Sequence, residues 1–150
     1  MHTPEYFMKQ ALKEAKKAYE KEEIPIGAVI VKDDKIISRA YNKREEKMQA
    51  TAHSEILAIE KACKKLNNWR LIDCDIYVTV EPCPMCAGAI LNSRMKKLYF
   101  GANDEKSGAV TSNIRLFDKE YLNHIMTYEE GVLKEECQDI LVNFFKKRRK

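Results

Sequence analysis

Nothing in this 150-residue chain is long and apolar enough to cross a bilayer. The longest apolar run, Ile24 to Val31, is broken by Pro25 and Gly27 and falls well short of the ~20 residues a spanning helix requires. The N-terminus carries no basic segment followed by an apolar one, so no signal peptide and no membrane partner is expected, and a cytoplasmic location is. No internal repeat and no low-complexity tract occurs, which excludes repeat arrays. Without an export signal, the five cysteines do not read as a disulfide framework. The length fits one domain, residues 1–150, with a real hydrophobic core.

An excess of one charge is also missing from most of the chain. Five of the 27 basic residues are the last five, Lys146 to Lys150; without them 22 bases face 23 acids. Such a tail is either simply solvated or the electrostatic footprint of a partner with a phosphate backbone.

The pattern that is present is helix and strand in alternation. Thr3-Pro4-Glu5 is a helix start, with a hydroxyl cap, proline at the first position and an acid in the first turn. Phe7, Met8, Ala11, Leu12, Ala15, Ala18 and Tyr19 follow at helical spacing. Ile26–Lys32 and Lys35–Tyr41, separated by Asp33-Asp34, read as a β-hairpin that Asn42 ends. Residues 43–50 are polar and expected to be a loop. A second helix is expected from Thr51 to the stop at Asn67-Asn68, with Ile56, Leu57, Ile59, Ala62 and Cys63 as its buried stripe. Ile76–Val80 is near-continuously apolar, the mark of a strand covered on both faces. A helix over residues 83–92 tolerates Pro84 in its first turn. Short strands are expected at 97–101 and 125–128, and a last helix with Leu133, Cys137, Ile140, Leu141, Phe144 and Phe145 on its apolar face. Alternation of this kind predicts an α/β sheet with crossover helices. Cys63, Cys74 and Cys137 fall inside apolar patterns and read as small buried hydrophobes.

Two separated stretches carry the chemistry. Thr51-Ala52-His53-Ser54-Glu55 and Glu81-Pro82-Cys83-Pro84-Met85-Cys86 together read His-x-Glu and Pro-Cys-x-x-Cys. Cys83 and Cys86 are three apart and share a face of one helical turn. A helix N-terminus there favours thiolates over thiols. Two helix starts facing each other across the end of a sheet would bring His53 to them. One histidine and two cysteines make three zinc ligands, and three leave a place for water, whereas structural zinc sites close with four. Cys63, Cys74, His2 and His124 lack the spacing of a fourth ligand; His2 reads as part of a frayed terminus and His124 as a structural or surface histidine. A helical glutamate such as Glu55 is ordinarily just solvated. Beside an open zinc position it can take a proton from water whose pKa the metal lowers to about 7, then deliver it to a substrate ring nitrogen and to a leaving amine.

These motifs resemble those of the cytidine deaminase superfamily. Ile26-Gly27-Ala28-Val29, Asn42, the His53 stretch and Pro82 through Gly88 match it, and nearly the whole chain is covered. Within the superfamily, Gly101 through Ala109 and Phe144 through Arg149 resemble the bacterial tRNA-specific adenosine deaminases. The resemblance implies a three-layer α/β/α sandwich around a mixed five-stranded sheet, one zinc per subunit held by His53, Cys83 and Cys86, and Glu55 as the catalytic proton shuttle. It implies hydrolytic conversion of the wobble adenosine of a tRNA anticodon stem-loop to inosine, in a homodimer. Asn42 would bind the flipped base, Asp104, Lys106 and Ser107 the neighbouring nucleotides, and Phe145, Arg148 and Arg149 the loop or its phosphates. Two departures stand out: Gln49-Ala50 replaces the family's usual x-Pro before Thr51, and Ser54 replaces the commoner alanine. Two other functions compete. A deaminase of free guanine, cytosine or cytidine would need no basic end, and a zinc-stabilised RNA-binding module would have no use for Glu55.

Overall fold

The computed structural model describes residues 1–119 and 124–148. Helix α1 (Pro4–Glu20) begins as its sequence dictates: Thr3 is extended and its hydroxyl accepts the Tyr6 N–H at 3.2 Å. His2 is not frayed. Its ring stacks on Tyr6 at 4.0 Å and its Nδ1 meets the Asp34 carboxylate at 3.0 Å, because the α1 entry lies against the first hairpin turn.

Strands β1 (Gly27–Lys32) and β2 (Lys35–Tyr41) form that hairpin. Asp33 and Asp34 both take positive φ, 50° and 63°, which gives a two-residue turn whose twist matches the strands. A register shift between Ile30 and Val31 makes room for both Ile36 and Ile37 in β2. Residues 44–47 are not loop but one turn of helix, α2 (Arg44–Lys47). Its free N–H groups at Glu45 and Glu46 are accepted by the Glu23 carboxylate, at 3.1 and 2.6 Å, a cap supplied from far along the chain.

Helix α3 (Ser54–Leu66) starts three residues later than the sequence suggests, since His53 is extended and occupies the cap position. Asn67, at φ 52°, ends it in the left-handed region. Its stripe is also rotated: Leu57, Ala58 and Ala62 are buried, while Ile56, Ile59 and Cys63 are only partly so. Strand β3 (Cys74–Val80), helix α4 (Pro84–Asn92) and strand β4 (Lys97–Ala102) form a parallel β-α-β crossover. Strand β5 (Thr127–Glu129) pairs parallel to β4, two residues beyond where apolarity alone places it, and helix α5 (Lys134–Arg148) closes the described chain.

The sheet order is β2-β1-β3-β4-β5, with β1 antiparallel to both of its neighbours. Side-chain alternation sends Ala28, Ile30, Ile76, Val78, Leu98 and Phe100 toward α3 and α4, and Val29, Val31 and Tyr77 toward α1 and α5. The result is a mixed five-stranded sheet between two helical layers. Each fully buried large side chain such as Phe100 or Ile76 contributes about 1.5–3 kcal/mol. Gly27 lets α1 approach at backbone distance; a methyl there would lie 2.5 Å from the Ala15 nitrogen. Cys74 and Cys137 are fully buried hydrophobes, and Cys137 packs onto Gly101. His124 Nε2 donates to the Met95 carbonyl, 2.7 Å away. Among the described residues no helix is long and apolar enough to cross a membrane.

Candidate metal centre and substrate cleft

The two chemical stretches meet where α3 and α4 begin. His53 caps α3 and Cys83 caps α4, each extended, with Pro84 at the first helical position. Cys86 sits one turn into α4 and is buried. The His53 Nδ1 lies 3.7 Å from the Cys83 Sγ and 3.6 Å from the Cys86 Sγ. A tetrahedral zinc with ordinary Zn–N and Zn–S bonds separates its nitrogen and sulfur ligands by about 3.6 Å, so the donor set fits that ion. Among the described residues this is the one group of three or more metal-type side chains with its ligand atoms within 4.8 Å of one another.

The electrostatics suit a cation. The Cys83 thiol is pulled down to about 4, first by the hydrogen bond its thiolate receives from Cys86, then by His53, against the opposing effect of burial. Cys86 is pushed up by the same bond and by its own burial. A divalent cation takes cysteine ligands as thiolates and releases their protons. His53 is raised, chiefly by its bond to Cys83.

Glu55 is buried, at 4 % exposure, on the first turn of α3. Burial raises its carboxyl above the usual range, and hydrogen bonds partly offset this, one of them from the Ser54 hydroxyl at 2.8 Å. Ser54 therefore orients the carboxylate, a role the bare substitution for alanine does not announce.

His53, Glu55 and Cys83 line a cleft of about 1150 Å³. Asn42, Asp104, Lys106, Ser107 and Phe145 line the same cleft. Phe145 is 44 % exposed, whereas its neighbour Phe144 is buried against Tyr19. Asn42 is engaged with the backbone: its Nδ2 donates to the Ile24 carbonyl at 3.2 Å and its Oδ1 accepts the Arg44 N–H at 3.1 Å. Asp104 likewise accepts the N–H groups of Lys106 and Ser107, at 3.1 and 3.0 Å. Arg148 does not line the cleft. Its guanidinium donates to the Glu22 carbonyl and lies over the Phe144 ring. Arg149 lies outside the described residues.

Other lining residues carried no signal in the sequence. Arg44, on the unexpected helix α2, is one. Lys134, Gln138 and Leu141 form a stripe on α5 with Phe145, legible only once the helix is known to edge a cleft. Glu81 is a third case: an acid at 3 % exposure, at the end of the most apolar strand. Burial pushes its carboxyl up, but hydrogen bonds led by Ser112 outweigh that and hold it low.

A family model described as MafB19-like deaminase matches residues 2–149. The chain is 50 % identical over 150 residues to the tRNA-specific adenosine deaminase of Bacillus subtilis (strain 168), covering 100 % of this chain and 93 % of that one. A solved structure from work on A-to-I editing by tRNA:A34 deaminases is 45 % identical, with a TM-score of 0.88 over 91 % of this chain and 99 % of that one. A solved guanine deaminase from Bacillus subtilis is 34 % identical, with a TM-score of 0.66 over 100 % of this chain and 96 % of that one.

Proposed function

The chain belongs to the MafB19-like deaminase family and, within it, to the tRNA-specific adenosine deaminases, and we propose that its cleft converts adenosine to inosine at the wobble position of a tRNA anticodon. The observation that carries the reading is the pairing of a three-donor metal centre with one buried carboxylate at the edge of a wide cleft. At about 1150 Å³ the cleft exceeds the roughly 300–1,000 Å³ of small-molecule pockets. Arg44, Lys106 and Lys134 reach it from three separate elements and make no ion pair among the described residues, which suits a phosphate backbone.

His53, Cys83 and Cys86 hold one zinc per chain. Zinc bound there supplies Lewis acidity that lowers the pKa of a water molecule to about 7. Glu55, already biased toward the proton by burial, accepts one from the attacking water. It delivers that proton to the ring nitrogen beside the amino-bearing carbon, and a proton then follows to the departing amine. Ammonia leaves and a carbonyl base remains, which balances adenosine plus water against inosine plus ammonia. An anticodon loop suits such a cleft because its bases are already unpaired, so splaying one out costs little. Phe145 offers a face for a neighbouring base, and the 103–107 loop flanks the target. Residues 1–150 act as one catalytic unit, in a cytoplasmic homodimer.

A guanine deaminase is the second reading, favoured by the likeness to the solved guanine deaminase. Incubation with an anticodon stem-loop bearing a wobble adenosine, and separately with guanine, cytosine and nucleosides, separates the two. Inosine in the RNA is expected; ammonia from guanine alone would overturn the proposal.

A further inference from the structure

We propose that Glu81 is a positioning residue, whose carboxylate locks the cleft-lining loop 104–112 onto the strand end that carries Cys83. This rests on the reading of the cleft as a substrate site. The Glu81 side chain is at 3 % exposure, and the groups that meet it are hydrogen-bond donors rather than basic side chains. Its Oε2 accepts the consecutive backbone N–H groups of Val110, Thr111 and Ser112, at 3.0, 2.8 and 2.9 Å. Its Oε1 accepts the Asp104 N–H at 3.0 Å and the Ser112 hydroxyl. Both ends of the loop are thus fastened to one carboxylate, and the Ala109 N–H adds a bond to the Pro82 carbonyl at 2.8 Å.

Such an arrangement belongs to a buried carboxylate only when every lone pair meets a donor, since hydrogen bonds to a charged group are the strong ones. The neighbouring glycine is shaped to it. A methyl on Gly108 would overlap the Glu81 carboxyl group and approach the Asp104 carbonyl to 2.5 Å. The loop held this way carries Asp104, Lys106, Ser107, Thr111 and Ser112 into the cleft wall. The same two-residue link, Glu81-Pro82, places Cys83 at the metal centre. One side chain therefore sets the distance between the reacting centre and the wall that flanks it.

Glutamine cannot replace it. One face of the carboxylate meets three backbone N–H groups and the other meets the Asp104 N–H, so an amide NH2 opposes a fixed donor whichever way it turns. Glu81→Gln should free the loop while leaving the ligands in place. In the zinc-loaded full chain, zinc is expected to stay near one per chain, amide exchange at residues 110–112 to speed up, and KM for the stem-loop to rise about tenfold with a smaller change in kcat. Unchanged exchange and KM would overturn the proposal, and so would loss of zinc in step with activity, which would make Glu81 a support of the metal alone. Gly108→Ala keeps the Glu81 carboxylate in the chain but drives a methyl against it, and should reproduce the KM and exchange effects; if Glu81→Gln does not fold, an unchanged Gly108→Ala overturns the proposal by itself. A wild-type chain that leaves the stem-loop untouched would refute the substrate, whereas the exchange measurement would still decide the role of Glu81.

Discussion

Glu55→Gln is the sharpest test of the chemistry. The substitution keeps shape and keeps an oxygen to accept the Ser54 hydroxyl, 2.8 Å away in the native chain. It removes only the ability to take and give a proton. A positioned acid–base group is worth about 10²–10⁴ in rate. The structure argues for the upper end, because Glu55 is the buried cleft carboxylate on the helix turn that carries His53, whereas Glu105 and Glu130 line the cleft from exposed positions. Glu81 is saturated by donors from residues 104 and 110–112, and Asp104 gives its Oδ1 to the N–H groups of Lys106 and Ser107. At 4 % exposure the position also has little solvent to relay protons. A fall in kcat of about 10³–10⁴ is therefore expected. Rapid-quench measurement of inosine in an anticodon stem-loop, under single-turnover conditions, reads it directly. Zinc content should be unchanged, since the three side chains placed to hold a metal are those of His53, Cys83 and Cys86. Folding stability should not fall: burial disfavours the charged form of Glu55, so an uncharged side chain removes a cost. A variant keeping more than about a tenth of wild-type kcat would refute Glu55 as the shuttle. A variant that lost its zinc would refute the division between ligands and shuttle.

Cys83→Ala should abolish zinc retention and lower the melting temperature of the zinc-loaded protein, by removing a ligand that binds only the folded chain; metal analysis showing undiminished zinc would refute the ligand set. The two adjacent phenylalanines of α5 should separate cleanly. Phe144→Ala, buried against Tyr19, should cost about 3–5 kcal/mol of stability, whereas Phe145→Ala should leave stability within about 0.5 kcal/mol and weaken RNA binding by roughly tenfold, read by thermal melts and by anisotropy with a labelled stem-loop. Removing residues 146–150 should flatten the dependence of RNA affinity on salt, by about 0.7–0.9 in slope for each phosphate the tail neutralises; an unchanged slope would take the tail out of the interface.

Much of the fold was legible because its determinants are local. Thr3-Pro4 caps α1 within one turn, and Asp33-Asp34 supplies two positive φ angles to a two-residue hairpin loop. What was not legible has determinants far away in the chain. Helix α2 exists in a stretch that reads as polar loop because the Glu23 carboxylate accepts its free N–H groups across 22 and 23 residues. Strand β5 is set by pairing with Lys97 to Tyr99, so its position follows β4 rather than its own apolar residues. The stripe on α3 is rotated because the helix packs on β1 and β2 through Leu57, Ala58 and Ala62, a choice made by the sheet rather than by the helix's own apolar residues.

The candidate site divides along the same line. His53, Cys83 and Cys86 were readable because each sits at or next to a helix start, which sequence marks well, and two such starts converge. The walls were less readable because a side chain's role there depends on whether something else has already claimed it. Asn42 and Asp104 both line the cleft, and each spends its Oδ1 on backbone N–H groups two or three residues onward. Phe144 and Phe145 are equal in sequence and opposite in burial, since one residue turns a helix by about 100°. Glu81 is the extreme case, with all its donors 23 to 31 residues downstream. Three of the acids that line the cleft thus differ in what already holds them. Glu81 has filled both oxygens and can only hold, Asp104 spends its Oδ1 on its own turn, and Glu55, buried on the same helix start as His53, is left with the capacity to move a proton.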